Sequence, residues 1–385
     1  MMRELRLSAT ANADYLACQR RYLLTYLCDL TQDKDKDSTR VGGNWHGCHE
    51  MLEHKAGVVC PDCSRHEEIR PDCCVCGGTG YVLADPMDRV ARYLNRCYAI
   101  VPDNKTHDDW ELERVILLYS LSGHRWCHSG SEDRWEVIGS EIKFEVPVIN
   151  PDTGRKLPKA VFVGKIDRLV RDRQTGLIYV WERKSTSQPI TSEDYWTGLT
   201  QGDQISGYLY GGRYAQACGM LRPYGANPED PPIQGAWCDV WHKPDIKPKR
   251  VSKADLKTLS ETGEYCGTEV SYLATGNPPE VETPEMYGAR LLADIAERPE
   301  HYFAQREVSR TDRELEAFQL RLCKLAKQIR AVEKGDLWCH NLQSCEAKWR
   351  CEFLDLCRSG VEIGPDTVPP GYCRRHTTPV EVVLE

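Results

Sequence analysis

The chain has no run of 18 apolar residues, and its opening MMRELRLSATANADYL lacks the apolar core of a signal peptide. Those absences point to a soluble protein that is not exported, has no membrane partner and acts in the cytoplasm. Positive charge is also in short supply. With 50 Lys and Arg against 58 Asp and Glu, the net charge is −8 and the pI about 5.8. This balance excludes a protein that coats nucleic acid by bulk charge, while leaving room for a local basic channel. At 385 residues the chain can bury a sizeable core and exceeds the commonest single-domain size, so one large domain with insertions or two domains is expected. Cysteine, by contrast, is abundant. Nineteen cysteines without an export signal point to metal or cluster ligands rather than disulfides.

The stretch with the most chemistry is residues 163–185, VGKIDRLVRDRQTGLIYVWERKS. Residues 161–163 and Ile166 read as a strand, Gly176 as a turn, and residues 177–181 as the β-branched and aromatic hairpin partner. One acid, Asp167, closes the first apolar run, and Glu182-x-Lys184 closes the second, so both acids are expected at one end of a central sheet. Burying two carboxylates there is costly unless a cation pairs them, and Mg²⁺ or Mn²⁺ between Asp167 and Glu182 fills that need. Carboxylate-held divalent ions hydrolyse phosphodiesters, and a nearby Lys can position the water. A solvated hairpin end carries the same residues, so the pattern needs company.

That company resembles a family. G-x-I-D-R-L followed by apolar-W-E-x-K-S is similar to the PD-(D/E)xK nucleases of the RecB type, a group of metal-dependent DNA nucleases. The resemblance implies a Q-x-x-x-Y helix, matched by Gln204 and Tyr208, and an upstream G-x-x-x-H, matched by Gly42 to His46. His49 fits a variant of that motif, which leaves the choice of ligand open, with His46 favoured. A Glu ahead of the catalytic Asp is often present, and Glu141 or Glu145 matches, Glu141 being a weak extra. The implied site has His46, Asp167, Glu182 and the carbonyl of Arg183 on the metal, Lys184 on the attacking water, and Gln204 and Tyr208 bonding the DNA backbone or Lys184.

Two cysteine groups flank and interrupt this core. Residues 8–30 read as one helix with Tyr15, Cys18, Tyr22 and Tyr26 on a shared face, and Cys18 followed by QRRYL resembles the opening of RecB-like nucleases that carry an iron-sulfur cluster. At the other end Cys339, Cys345, Cys351 and Cys357 fall at six-residue intervals. The cluster-bearing branch, which includes AddB-type and CRISPR-associated RecB-like nucleases, takes one cysteine before the core and three after it. The resemblance thus implies a 4Fe-4S cluster on Cys18, Cys345, Cys351 and Cys357, clipping the chain ends together. Four local ligands including Cys339 on Zn²⁺ are the alternative, although the spacing is wider than a usual knuckle. The second group, CPDCSRHEEIRPDCCVCGGTGYV, pairs Cys60-x-x-Cys63 with Cys73-x-x-Cys76, the spacing of a four-cysteine zinc site. Cys74 can substitute for Cys73, and His66 is a poorer candidate.

The expected architecture is α/β: a restriction-endonuclease-like core of central mixed sheet and flanking helices, with an inserted zinc knuckle and a helical periphery stapled by the cysteine cluster. Residues 1–54 would carry the first cluster cysteine and the His motif, 55–84 the projecting knuckle, 85–335 the nuclease core, and 336–385 the cluster segment and tail. Within the core, residues 135–149 read as a strand leading to the hairpin, residues 235–244 as a further strand, and residues 313–331 as an amphipathic helix. Residues 298–310 are similar to phage-encoded members, which would place the protein in a host cytoplasm. The expected activity is DNA cleavage, as an exonuclease at ends, with linear single- or double-stranded DNA and a recombination or replication protein as partners. A non-catalytic nucleic-acid-binding or scaffold protein retaining the metal-stapled fold is the rival, and a degenerate site would have lost at least one of His46, Asp167, Glu182 and Lys184.

Overall fold

The structure, a computed structural model, describes residues 3–34, 37–130, 132–270, 279–346, 350–361, 363 and 367–375. The central mixed sheet consists of β1 (Leu5–Leu7), β2 (Trp135–Ile149), β3 (Lys156–Asp172), β4 (Ile178–Thr186), β5 (Gly235–His242) and β6 (Phe303–Ser309). Its order is β1-β3-β4-β5-β6, with β2 pairing β3 along the other edge. β4 and β5 run parallel, as do β1 and β3; the remaining pairs are antiparallel. The hairpin expected from residues 161–181 is present, its turn made by Gly176 at φ 73°, a backbone state glycine adopts without strain.

β3 is long, and β4 pairs only with its final stretch, from Arg168 opposite Trp181 to Arg171 opposite Ile178. Beyond Arg168 the ladder stops and the two strands part. This fork opens where the register sets Asp167 opposite Glu182.

Helices cover both faces. On one, α1 (Ala9–Ala17), α6 (Asp203–Ala217) and α8 (Asp312–Gly335) bury Tyr15, Ile205, Leu209, Leu315, Phe318, Leu322, Leu325 and Ile329 against Phe144, Phe162, Ile166 and Val180. The expected stripe of residues 313–331 is thus the buried face of α8. Close approach of α6 is set by glycine: a Cβ on Gly211 would lie 2.1 Å from Phe144. On the other face, α2 (Asp37–Glu53), α3 (Pro86–Cys97), α4 (His107–Cys127) and α7 (Pro284–Glu297) pack Trp45, Tyr93, Leu117 and Leu291 onto Trp241 and Phe303. Between α6 and the hairpin lies α5 (Glu193–Gln201). Side chains alternate along β4, so Val180 joins the α6 side and Arg183 turns toward α2 and α4.

Two expectations need correction. Residues 8–30 are not one helix. α1 ends at Cys18, which is extended (φ −164°, ψ 117°), and short turns over Gln19–Tyr22 and Leu23–Leu27 follow. The break has a partner at the other chain end, because the Ala17 carbonyl accepts from Asn341 Nδ2 and Ser344 Oγ, both at 2.8 Å. The tyrosines still meet, Tyr22 lying edge-on to Tyr15 at 5.5 Å and tilted against Tyr26 at 5.2 Å. Nor does the cysteine insert project freely: Cys60, Cys63, Cys73, Cys74, Val75 and Cys76 belong to the same apolar cluster as Trp45, Val90 and Leu94. Among the described residues, no helix is long and apolar enough to cross a membrane.

Candidate active site

The fork between β3 and β4 gathers the acids. The amide of Arg183 donates to Asp167 Oδ2 at 3.3 Å, so a side chain replaces the missing ladder bond. Glu182 is 1% exposed. Its Oε1 takes Lys184 Nζ at 2.5 Å and Gln204 Nε2 at 3.1 Å, while Oε2 has no partner among the described residues. Gln204 is the hub of this arrangement. Its Oε1 accepts from Lys184 Nζ at 2.8 Å, and its Nε2 lies 2.7 Å from the Tyr208 hydroxyl, one turn further along α6.

His46 reaches the site from α2, its Nδ1 lying 3.5 Å from Asp167 Oδ2. Gly42, one turn earlier, lets the helix come close, since a Cβ there would stand 3.3 Å from Ser185 Oγ. His49 is fully turned into the second core, its ring 4.7 Å from Trp45 and 4.9 Å from His124. Of the two histidines, His46 is therefore the one beside the carboxylates. Glu141 lies between Ser140 and Ile142, which pair with Arg168 and Ile166, so it flanks Asp167 across the β2–β3 ladder. Its backbone is left-handed (φ 54°) and its carboxylate pairs with Lys165. Glu145 pairs instead with Arg6 at 2.7 Å.

Burial pushes the Glu182 carboxyl up to about 7; the Lys184 cation opposes the rise and the Asp167 charge adds to it. His46 is held below its ordinary value by burial and by the Arg183 and Lys184 cations, against the pull of Asp167. A buried carboxylate whose proton is held more tightly than usual, with one oxygen unbonded among the described residues and a second carboxylate in register with it, is short of positive charge. The donor set of imidazole and two carboxylates suits a hard or borderline divalent cation.

Behind β4 lie residues that the sequence reading passed over. Glu53 ends α2 seven residues after His46, a spacing that returns to the same helix face and is the signal that was readable. It pairs with Arg168, and Arg183 Nη1 donates to it at 3.0 Å. Glu53 therefore ties the helix bearing His46 to both strands of the fork.

The two cysteine groups differ in geometry. In the insert, Cys60 Sγ is 3.7 Å from Cys73 Sγ and Cys63 Sγ is 3.5 Å from Cys76 Sγ, and all four sulfurs lie within 4.8 Å of one another. A tetrahedral zinc with Zn–S of about 2.3 Å sets its sulfurs about 3.8 Å apart, so this group fits one ion. Cys74 is buried apart from it, and His66 does not join it. Burial raises the Cys60 thiol to about 12; burial would raise Cys76 too, but the Gly80 and Gly78 amides and Cys63 draw it down to about 7. At the chain ends, Cys18 and Cys345 both bear electrostatically on Cys351 and Cys357, and Cys351 and Cys357 pack with Leu24 and Phe353. These four sulfurs are grouped more loosely than those of the insert. Cys339 also stands close, its carbonyl 3.9 Å from Cys18 Sγ and accepting from the Arg20 amide at 3.2 Å.

A family model described as the PD-(D/E)XK nuclease superfamily matches residues 6–358. The chain belongs to that superfamily. The match spans both cysteine groups as well as the fork, and it identifies the mixed sheet with its flanking helices as a restriction-endonuclease-like core. The superfamily assignment makes the chain a nuclease by descent, with divalent metal as the usual cofactor and DNA as the substrate class. No curated protein matches it.

Proposed function

We propose that this superfamily member is a metal-dependent deoxyribonuclease of the RecB-like type, cutting phosphodiesters at DNA ends. The observation that carries the proposal is the fork: Asp167 faces Glu182, His46 stands beside Asp167, and one buried Glu182 oxygen has no hydrogen-bond partner among the described residues. His46, Asp167, Glu182 and the main-chain carbonyl of Arg183 would hold Mg²⁺ or Mn²⁺. When bound, the ion supplies charge stabilisation at the phosphoryl oxygens and makes water acidic enough to attack.

The chain's own groups do the positioning. Lys184, held between Glu182 and Gln204, orients the attacking water. Gln204 fixes that lysine with its amide oxygen and spends its amide N–H groups on Glu182 and the Tyr208 hydroxyl, which leaves Tyr208 as the group facing the DNA backbone. Glu141 stands by as a further carboxylate. Preference for ends follows the RecB-like order of motifs, as does a 4Fe-4S cluster on Cys18, Cys345, Cys351 and Cys357; their looser grouping suits a multinuclear centre better than a single ion. Zn²⁺ is the fitting ion for Cys60, Cys63, Cys73 and Cys76. The setting we propose is cytoplasmic DNA recombination, repair or phage DNA processing beside a recombination or replication protein, with residues 55–84 inserted between the N-terminal part of the nuclease domain (1–54) and its core (85–335), and residues 336–385 forming the cluster segment and tail.

End-labelled linear and closed circular DNA, incubated with Mn²⁺, with Mg²⁺ and with EDTA, test this reading. Metal-dependent loss of the label from linear DNA with circles left intact is expected, and Asp167→Ala, Glu182→Ala and Lys184→Ala should remain folded and inactive. Full cleavage by any of these three variants would remove the proposal. Protein purified without oxygen should be brown, and a colourless sample would remove the cluster.

A further inference from the structure

A second convergence of ligating side chains lies on the far face of β4, away from Glu182 and Lys184. Arg183 is in register with Asp239 on β5, and Asp239 is 3% exposed. His124 Nε2 sits 3.1 and 3.2 Å from the two Asp239 oxygens. His128 follows one turn later, its ring centroid 4.5 Å from that of His124. One ligand atom from each of the three lies within 4.8 Å of the others.

The spacing has a physical logic. Residues four apart share a helix face, so the last turn of α4 and its cap residue His128 present both imidazoles to the strand. The His124 ring is fixed edge-on by Trp45 at 5.8 Å, His49 at 4.9 Å and Phe303 at 5.2 Å. A tetrahedral zinc with Zn–N and Zn–O near 2.1 Å separates its donors by about 3.4 Å, close to the distances from His124 to Asp239.

Asp239 is also available. The nearest permanent cation, Arg183, gives its Nη1 to Glu53 at 3.0 Å and keeps its Nε 3.9 Å from Asp239 Oδ2, beyond hydrogen-bond length. Gln305 Nε2 donates to Oδ1 at 3.2 Å, which orients the carboxylate as outer-sphere partners of metal ligands do. His128 is half-buried, giving the cluster one side toward solvent.

We propose that His124, His128 and Asp239 form a second zinc site, with water from the His128 side completing four-coordination. Its role is structural: it staples the end of α4 to β5 directly behind the strand that carries Glu182 and Lys184. It uses no residue of the fork and no cysteine, so it stands or falls independently of the nuclease reading.

Zinc per chain, measured by mass spectrometry after passage over a chelating resin, decides the matter. The parent for this measurement carries Asp167→Ala and Glu182→Ala, so the fork cannot contribute an ion. Two zinc per chain are expected, falling to one in either Asp239→Asn or His128→Gln and to one in Cys60→Ser/Cys73→Ser. Asp239→Asn keeps the side-chain shape and His128→Gln changes a half-exposed helix end; circular dichroism checks that both fold. One zinc in the parent, lost wholly with the cysteines, would overturn the site and leave His124 as a hydrogen-bond partner of Asp239 alone. A zinc content unchanged by both Asp239→Asn and His128→Gln would overturn it equally.

Discussion

Glu182 and Asp239 occupy neighbouring strands of one sheet, both almost wholly buried, and their carboxyls are driven in opposite directions. Burial raises both, but Glu182 also faces Asp167, and the Lys184 cation with hydrogen bonding from Lys184 and Tyr208 does not offset the two, so it rises to about 7. For Asp239, His124 first, then Arg183 and His128, more than offset burial and hold it well below the ordinary carboxylate range. The lesson concerns counter-charge rather than depth. Glu182, beside a second carboxylate, is placed to take an ion and substrate during turnover, while Asp239, enclosed by two imidazoles and Arg183, serves the fold.

Substitutions should separate the two. The largest effect is expected at the fork, where Asp167→Ala or Glu182→Ala should take DNA cleavage to background while urea melts stay cooperative; an active variant would erase the distinction. Asp239→Ala should do the reverse, costing about 3–5 kcal/mol of stability because it strips a buried network of its anion. Equilibrium denaturation measures this, and a cost below about 1 kcal/mol would mean that Asp239 is not the anchor described here.

The raised Glu182 carboxyl makes a pH prediction. Folding shifts it from an ordinary 4.5 to about 7, so the metal-free fold binds an extra proton across that window. Its stabilising contribution is full below about pH 4.5 and is lost as pH rises through 7, amounting to ~3 kcal/mol. Melting of EDTA-treated protein should therefore fall in temperature over that range, and Glu182→Gln should flatten the fall. The same proton competes with metal, so Mn²⁺ affinity measured by calorimetry should drop as pH goes below 7, by up to about tenfold per unit. A flat profile would show Glu182 to be ionised throughout. The smallest effect is expected at Gln204, which touches Glu182, Lys184 and Tyr208 without reaching the proposed ion. Gln204→Ala should lower metal affinity or turnover about 10–100-fold and leave the substrate's KM nearly unchanged.

Much of the fork was readable from sequence because its determinants are local. A turn glycine at 176 and period-two apolar runs fix the hairpin register, and the register alone sets Asp167 opposite Glu182. The pair of C-x-x-C motifs was legible for the same reason, since four sulfurs in 17 residues need only a turn to converge. The break in the first helix was not, because the Ala17 carbonyl at that break is bonded by Asn341 and Ser344, more than 300 residues away. Asp239 and its histidines were also missed: no local pattern says that the last turn of α4 will land on β5.

The sequence by itself determined the elements whose reasons are short-range: the strand pattern, the amphipathic α8, the carboxylate pair at the hairpin mouth and the knuckle spacing. Tertiary structure alone decided which face each charge meets. It sent His46 to Asp167 and His49 into the core, and it gave Asp239 two imidazoles and Arg183 as partners while setting Glu182 against a second carboxylate. The reason is physical: periodicity is a property of the chain, whereas burial and counter-charge are set by whatever other segments pack nearby.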